Sequence, residues 1–237
     1  MANEDYDVQS LAAYLHLTPI QVSRLANRGK LPGRKIAGEW RFSHGEIHHW
    51  LEARIGLSDE EGLVQMEGVL ERADRPSGPD VVSIAGLLPL DAIAIPLAAR
   101  TRSSVITAMV ALAANTCLLW DAVRMVEAVR EREELHPTAL DNGVALLHPR
   151  RPLTSILAEP LLALGRTPQG IPFGGQRGSL TDTFFLICSV EDRGHLRVLA
   201  RLSRLIGDPS FLAGLRALDD PRLVRKFIAE TEAKLDA

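Results

Sequence analysis

One stretch of the chain, residues 57–80, limits the possible folds more than any other because it separates two folding units. It holds seven Asp or Glu against two Lys or Arg, and it ends in the run Pro76-Ser77-Gly78-Pro79. Clusters of Pro and Gly interrupt helices and strands. The stretch therefore predicts an acidic linker between an N-terminal domain at residues 1–56 and a C-terminal domain at residues 81–237.

The distribution of charge points to one basic surface. The chain has 46% hydrophobic and 24% charged residues, an ordinary globular balance, and a net charge of −3. Residues 24–41, by contrast, hold six Lys or Arg and the single acid Glu39, a local charge of +5. A compact basic segment in an acidic chain is typical of a nucleic-acid surface.

The cellular setting follows from what the sequence lacks. The two cysteines, Cys117 and Cys188, are too few for a disulfide framework, and no signal-peptide pattern opens the chain. The longest apolar stretch, residues 105–120, is interrupted by Asn115 and Thr116 and is short for a membrane span. We expect a cytoplasmic protein with reduced thiols and no membrane insertion.

The N-terminal domain shows a helix-turn-helix pattern followed by a hairpin. A short helix precedes Thr18, which with Gln21 forms a capping-box signature for a second helix that ends at Gly29. Residues 34–42 then alternate apolar and polar side chains around a turn, which predicts a two-stranded wing. A second capping box, Ser43 with Glu46, predicts a last helix.

These elements resemble the excisionase/MerR-type winged helix-turn-helix across about residues 6–55. The matching segments are Leu11-Ala12-Ala13-Tyr14-Leu15, residues 18–32 and Gly38-Glu39-Trp40-Arg41-Phe42. The resemblance implies that duplex DNA is a partner. The second helix would enter a major groove, and the wing would reach phosphates or the minor groove. The predicted contacts are Gln21, Arg24 and Arg28 on the helix and Lys35 and Arg41 on the wing. The alternative is that these charges are solvated on a small protein-binding module.

The C-terminal domain intersperses strands with helices, which predicts an α/β fold with a mixed sheet flanked by helices. The expected strands are residues 92–97, 144–147, 161–164 and 181–189. The expected helices are residues 103–115, 121–133, 194–206, 209–217 and 221–234. The Gly- and Pro-rich residues 165–178 predict a turn-rich excursion between strands.

Two histidines occupy positions where sites accumulate in such folds. His148 directly follows the short buried strand at 144–147, and His195 begins an amphipathic helix just after the most apolar strand. A neutral imidazole is a competent nucleophile near neutral pH because its ordinary pKa is about 6.5. A phosphoryl group on such a ring would need hydrogen-bond donors and positive charge around it.

The surrounding residues resemble the type-2 (fructose/mannitol/nitrogen-related) enzyme IIA family of the sugar phosphotransferase system, across about residues 85–235. The matching segments are residues 132–135, 142–148 and 195–203. The resemblance implies that His148 is the phosphoryl acceptor, that His195 is the second histidine of the site, and that Arg132 is its arginine. It also implies a phosphorylated HPr-type carrier as donor. The predicted chemistry needs no metal and no cofactor.

The chain departs from that family just before the acceptor. Where the family has a glycine-rich stretch ending in proline, this chain keeps Asn142 and Gly143 and otherwise carries larger or charged residues. These are His136, Pro137, Ala139, Asp141 and Leu147. Asp141 predicts a carboxylate near the phosphoryl group, which it would repel if the two groups faced each other.

Together the two halves predict a cytoplasmic DNA-binding regulator whose enzyme IIA-like domain couples phosphotransferase status to transcription. Two alternatives stay open. One is a phosphocarrier that passes its phosphoryl group to a sugar permease subunit, with the small domain as a protein contact. The other is a IIA-like sensor domain that is no longer phosphorylated. A second copy of the same chain, in a homodimer, is a further possible partner.

Overall fold

A computed structural model describes residues 5–15, 17–57, 82–175 and 178–235. The chain divides into two compact units, residues 1–81 and 82–237, which are described separately. The predicted linker at residues 57–80 lies outside the described residues, apart from Leu57, which ends a helix.

The N-terminal unit begins with helices α1 (Val8–Leu15) and α2 (Pro19–Asn27). The Thr18 hydroxyl accepts the amide of Gln21 at 3.3 Å, and Gln21 Oε1 accepts the amide of Thr18 at 2.8 Å. This reciprocal capping box confirms the predicted start of α2. Its predicted stop is confirmed by Gly29, whose φ of 65° is the left-handed conformation that commonly follows a helix.

The predicted wing is a hairpin of β1 (Arg34–Ile36) and β2 (Glu39–Arg41), in which Lys35 lies opposite Trp40. Ala37 and Gly38 both have positive φ, 51° and 85°, which matches the twist of a two-residue hairpin turn. The last helix, α3 (His44–Leu57), follows at once. Buried apolar side chains from every helix and the wing make the core of this unit: Leu11, Val22, Leu31, Phe42 and Ile47.

The C-terminal unit is an α/β domain, as the sequence predicts. Its strands are β3 (Ile93–Ala94), β4 (Val144–Leu147), β5 (Leu161–Pro172) and β6 (Leu180–Cys188). Its helices are α4 (Arg102–Asn115), α5 (Ala122–Leu135), α6 (Asp192–Gly207), α7 (Pro209–Ala217) and α8 (Pro221–Leu235). Short 3-10 turns lie at Leu90–Ala92 and Thr154–Ile156.

The four strands form one mixed sheet in the order β3-β5-β6-β4. Strand β3 runs parallel to β5, β5 antiparallel to β6, and β6 parallel to β4. Helices α4 and α5 pack on one face, against a core that includes Met109, Met125 and Phe184. Residues facing the other way, such as Phe185 and Ile187, are also buried, so both faces of the sheet are covered.

Two strands differ from the sequence prediction. Of the predicted strand at residues 92–97, only Ile93–Ala94 form a strand, since Ala92 ends a 3-10 turn. Beyond the strand, the amide of Leu97 still donates to the carbonyl oxygen of Arg166 on β5 at 2.7 Å. Strand β5 runs on to Pro172 through the Gly- and Pro-rich stretch that predicts a turn-rich excursion, with an irregular register between Arg166 and Ile171. A bulge of this kind accommodates Gly and Pro inside a strand.

One buried ion pair ties the end of this unit to its beginning. Glu232 on α8 is 4% exposed and accepts the amides of Ile84 and Ala85 at 2.6 and 2.9 Å. Arg201 on α6, also buried, donates to the same carboxylate through Nε at 3.1 Å. The carboxylate therefore joins three segments that are distant in sequence.

None of the helices in the described parts of the chain combines the length and the apolar character needed to cross a bilayer.

Candidate phosphoryl site and DNA surface

His148 lies at the carboxyl end of β4, where this strand and the parallel strand β6 end side by side. Leu147 pairs with Leu186 in the register of the two strands, so the residues after each strand emerge at the same edge of the sheet. His148 is 3% exposed. The end of a parallel strand is the position at which α/β folds gather functional groups, as the sequence analysis expects for this residue.

The backbone fixes which nitrogen of His148 carries a proton. Nδ1 lies 2.8 Å from the carbonyl oxygen of Leu146. A carbonyl oxygen only accepts hydrogen bonds, so Nδ1 carries the hydrogen and donates it. In the neutral ring the lone pair then lies on Nε2, which is the nitrogen suited to attack an electrophile.

His195 lies in the first turn of α6 and is 2% exposed. Its Nδ1 is 3.2 Å from the Oγ of Ser189, the first residue after β6. Ser189 is itself buried. The sequence analysis does not single out Ser189. The signal that could have found it is its position at the end of the strand that runs parallel to β4.

The structure brings the two predicted histidines together. Their ring centroids are 5.0 Å apart and the ring planes are inclined by 54°. The Nε2 atoms of both rings are inaccessible to solvent. Two imidazoles this close can both contact one small transferred group, one ring acting as the nucleophile and the other as a hydrogen-bond donor.

Arg132, the third predicted site residue, lies in the last turn of α5 and is 6% exposed. Its Nη1 donates to the carbonyl oxygen of His136 at 2.8 Å. That bond holds one arm of the guanidinium at the helix end. The neighbouring Glu133 is buried as well and pairs with Arg102 at 2.9 Å.

The geometry of β4 separates Asp141 from His148, so the two do not face each other as the predicted repulsion requires. Asp141 lies in the turn that precedes β4 and is exposed, whereas His148 follows the strand. At about 3.3 Å per strand residue the two are roughly 15 Å apart. That exceeds the screening length of about 8 Å at physiological ionic strength. Asp141 is only seven residues from His148 in sequence, but the extended strand β4 lies between them, so the two residues are at opposite ends of that strand.

The described residues contain no group of three or more His, Cys, Asp and Glu side chains arranged to hold a metal ion.

On the N-terminal unit, all five predicted DNA contacts lie on or next to α2 and the wing, and none of them is buried. Arg24, Arg28 and Lys35 are exposed, and Arg41 pairs with Glu39 at 3.1 Å. Gln21 is exposed as well, and its side-chain oxygen accepts hydrogen bonds from Thr18 in the capping box. Gln21 therefore contributes to the start of the helix and stays among the predicted DNA contacts.

Comparison with known families matches both halves of the chain. The family model for "Phosphoenolpyruvate-dependent sugar phosphotransferase system, EIIA 2" matches residues 87–231, and the model "Helix-turn-helix domain" matches residues 6–55. The chain is 33% identical over 106 residues to a "Nitrogen regulatory protein" of Bradyrhizobium diazoefficiens, covering 44% of this chain and 67% of that protein.

A second relative is the "PTS system fructose-specific EIIABC component" of Bacillus subtilis. It is 28% identical over 127 residues, covering 53% of this chain and 20% of that protein. The chain thus spans about a fifth of the length of this relative.

Solved structures share the fold of the C-terminal unit. Nitrogen regulatory protein IIA-Ntr from Neisseria meningitidis superposes with a TM-score of 0.56 at 22% identity, covering 61% of this chain and 98% of that chain. The mannitol-specific cryptic phosphotransferase enzyme IIA from Escherichia coli gives 0.51 at 12% identity, covering 63% and 99%. The EIIA 2 family model matches more than half of the residues of this chain. The chain therefore belongs to the EIIA 2 family of phosphoenolpyruvate-dependent sugar phosphotransferase systems, with a helix-turn-helix domain N-terminal to the EIIA 2 domain.

Proposed function

We propose that this protein is a cytoplasmic DNA-binding regulator in which His148 accepts a phosphoryl group from a phosphorylated HPr-type carrier. The phosphorylation state of His148 would then adjust DNA binding by the N-terminal domain. The observation that carries the proposal is the pair of buried histidines, His148 at the end of β4 and His195 in the first turn of α6, with Nδ1 of His148 hydrogen-bonded to the Leu146 carbonyl.

The transfer joins the carrier's phosphohistidine to Nε2 of His148, which is inaccessible to solvent in this structure and must be uncovered for the carrier to reach it. The lone pair on Nε2 of His148 attacks the phosphorus of the carrier's phosphohistidine. A new P–N bond forms as the carrier's P–N bond breaks, and that bond's electron pair returns to the carrier's imidazole. The Nδ1 hydrogen stays bonded to Leu146, which stabilises the positive character that the ring acquires.

His195 acts as a donor to the transferred group. If the Ser189 hydroxyl donates to Nδ1 of His195, the ring hydrogen lies on Nε2 and can be donated to a phosphoryl oxygen. Arg132 supplies positive charge toward the same oxygens, and its bond to His136 holds the side chain at the end of α5. His148 is thus the nucleophile, and Ser189 is a positioning residue.

The second candidate function is a phosphocarrier that hands its phosphoryl group to a sugar permease subunit. Its support is the likeness to a relative named as a fructose-specific EIIABC component. The regulatory proposal is favoured by the helix-turn-helix domain in the same chain and by the likeness to a protein named for nitrogen regulation. The third possibility is a sensor that no longer accepts a phosphoryl group. It predicts that the wild type takes no label from the carrier, whereas the first two functions predict labelling.

The experiment incubates the full chain with phosphoenolpyruvate, enzyme I and the HPr-type carrier and measures acid-labile phosphate by intact mass. We expect one phosphoryl group on the wild type, none on His148→Ala, and one on the control His136→Ala, which removes an exposed histidine of the same domain. Labelling that survives in His148→Ala would place the phosphate elsewhere. A wild type that takes no label would identify the unphosphorylated sensor.

A companion measurement separates the regulator from the carrier. Binding of the full chain to a duplex DNA library is compared before and after phosphorylation. A regulator changes its affinity on phosphorylation, and His148→Ala abolishes that change. A phosphocarrier alone shows label transfer to a permease subunit and DNA binding that is absent or insensitive to phosphorylation.

A further inference from the structure

The exposed face of α2 carries a set of residues suited to reading bases. Val22 and Ala26 are buried against the rest of the unit. The opposite face follows helical spacing at positions 20, 23, 24 and 27 and presents Ile20, which is 75% exposed, with Arg24 and Asn27. These residues line one open surface depression.

Asn27 at the end of this face is bonded to the wing. The indole Nε1 of Trp40 on β2 lies 3.3 Å from Oδ1 of Asn27. The indole N–H is only a donor, so the oxygen of the Asn27 amide must face Trp40. The amide NH2 group, on the other arm of the same planar group, then points away from the indole.

Trp40 also contacts the cation of the opposite strand. Nζ of Lys35 lies 5.2 Å from the centre of the Trp40 ring, within the range of a cation–π contact. One aromatic side chain thus contacts both a wing lysine placed for phosphate and a helix asparagine placed for a base edge. These two contacts use different parts of the ring: the π face for Lys35 and the N–H for Asn27.

We propose that Trp40 is a specificity-positioning residue, which orients Asn27 so that its amide NH2 group reads an acceptor on a base edge in the major groove. This inference rests on the proposed DNA binding and names how sequence is read. Guanine offers N7 and O6, adenine N7 and thymine O4 as acceptors, whereas cytosine offers only a donor amine there. The base under Asn27 is therefore guanine, adenine or thymine, and cytosine is excluded.

The bond to Trp40 contributes selectivity more than affinity. A phosphate contact adds binding to every sequence, whereas an oriented base contact adds binding only where the base offers the matching group. Lys35 therefore contributes to affinity for any DNA sequence and Asn27 to selectivity. Loss of the indole N–H affects only the selectivity.

The test selects binding sites for the full chain from a random duplex library and compares the wild type with Trp40→Phe. Phe keeps an aromatic face for Lys35 but removes the N–H donor. We expect the wild-type sites to exclude cytosine at one position and Trp40→Phe to lose that exclusion. We also expect the ratio of selected-site to random-site affinity to fall roughly tenfold, the size of one lost base contact. The salt dependence of binding to random DNA should be unchanged.

Asn27→Ala is the partner variant. It should lose discrimination at the same position, and the double variant Trp40→Phe/Asn27→Ala should lose no more than Asn27→Ala alone, because both act through one contact. Full discrimination in Trp40→Phe, or additive losses in the double variant, would overturn the proposal. Random-DNA binding retained in every variant shows that the domain is folded and binds DNA. Its absence from the wild type would instead overturn the proposed function.

Discussion

His148 and His195 lie with their ring centroids 5.0 Å apart, although one follows a strand and the other opens a helix. The sheet brings them together, because β4 and β6 run parallel and the residues after both strands emerge at one edge. Each ring has its Nδ1 bonded within two residues of such a strand end, His148 to the Leu146 carbonyl and His195 to Ser189. The fold thus orients both rings before any ligand binds.

Ser189→Ala should slow phosphoryl transfer without abolishing it. The hydroxyl only orients His195, so its removal lets the second ring change tautomer while His148 keeps its own bond to Leu146. We expect the acceptance rate to fall roughly tenfold, the upper range for one neutral hydrogen bond, with the final extent of labelling unchanged. Rapid-quench measurement of labelling checks this. Ser189→Thr, which keeps a hydroxyl, should retain most of the rate, and an alanine variant as fast as the wild type would contradict the role.

Asp141→Asn should leave the labelling rate unchanged. The carboxylate lies at the far end of β4 from His148, so removing its charge does not alter the potential at the acceptor. The rate of acceptance from the carrier, measured over a range of salt concentrations, decides the matter. A marked increase in rate for Asp141→Asn would revive the repulsion that the sequence alone predicts.

Lys35→Ala together with Arg41→Ala should reduce the salt dependence of DNA binding. Each phosphate contact contributes about 0.9 to the slope of log affinity against log salt. Loss of both contacts should flatten that slope by about two. Titration of the full chain with duplex DNA over several salt concentrations measures it. The control Lys226→Ala removes an exposed cation of α8 and should leave the slope unaltered. An unchanged slope in the double variant would remove the wing from the DNA surface.

Glu232→Gln should destabilise the C-terminal domain by about 3 kcal/mol, because it leaves the buried Arg201 guanidinium without the opposing carboxylate charge. Hydrogen exchange of the β6 amides reports the unfolding free energy of this domain. The matched control Glu230→Gln lies on the same helix, where the exposed Glu230 faces Lys226 at 3.7 Å, and should change stability by less than about 1 kcal/mol. Equal losses in the two variants would show that the buried pair has no special role.

Cys117 should react with iodoacetamide at pH 8 in the folded protein while Cys188 stays unmodified. Burial raises the pKa of Cys188 to about 12, because the interior disfavours the thiolate. Its thiol therefore stays protonated at pH 8, whereas Cys117 is exposed. Peptide mass spectrometry after brief alkylation checks the difference, and denaturation should make both cysteines reactive. Modification of Cys188 in the native protein would show that this part of the core opens readily.

Local patterns predict the parts of the fold that depend on neighbours in sequence. The capping box of Thr18 and Gln21, the stop at Gly29 and the strand at Val144–Leu147 all lie where the sequence analysis expects them. Each depends on hydrogen bonds or periodicity within a few residues, which the chain displays directly.

Features that depend on distant partners are not predicted. Strand β5 continues through its Gly- and Pro-rich half because β6 pairs with it across a bulge. Gly165 lies there because a Cβ would come within 2.6 Å of Met109 Sδ on α4. Ser189 and Glu232 have partners that only the folded chain reveals.

The burial of the two Nε2 atoms also affects how long a phosphoryl group on His148 would last. If the site closes over the phosphoryl group on His148 after the carrier leaves, as it covers Nε2 in this structure, the P–N bond is shielded from water and is hydrolysed slowly. Under the proposed function, the modification would then persist after the carrier has left. Transcription would follow the average supply of phosphoryl groups over many encounters, and brief interruptions of that supply would pass without a response.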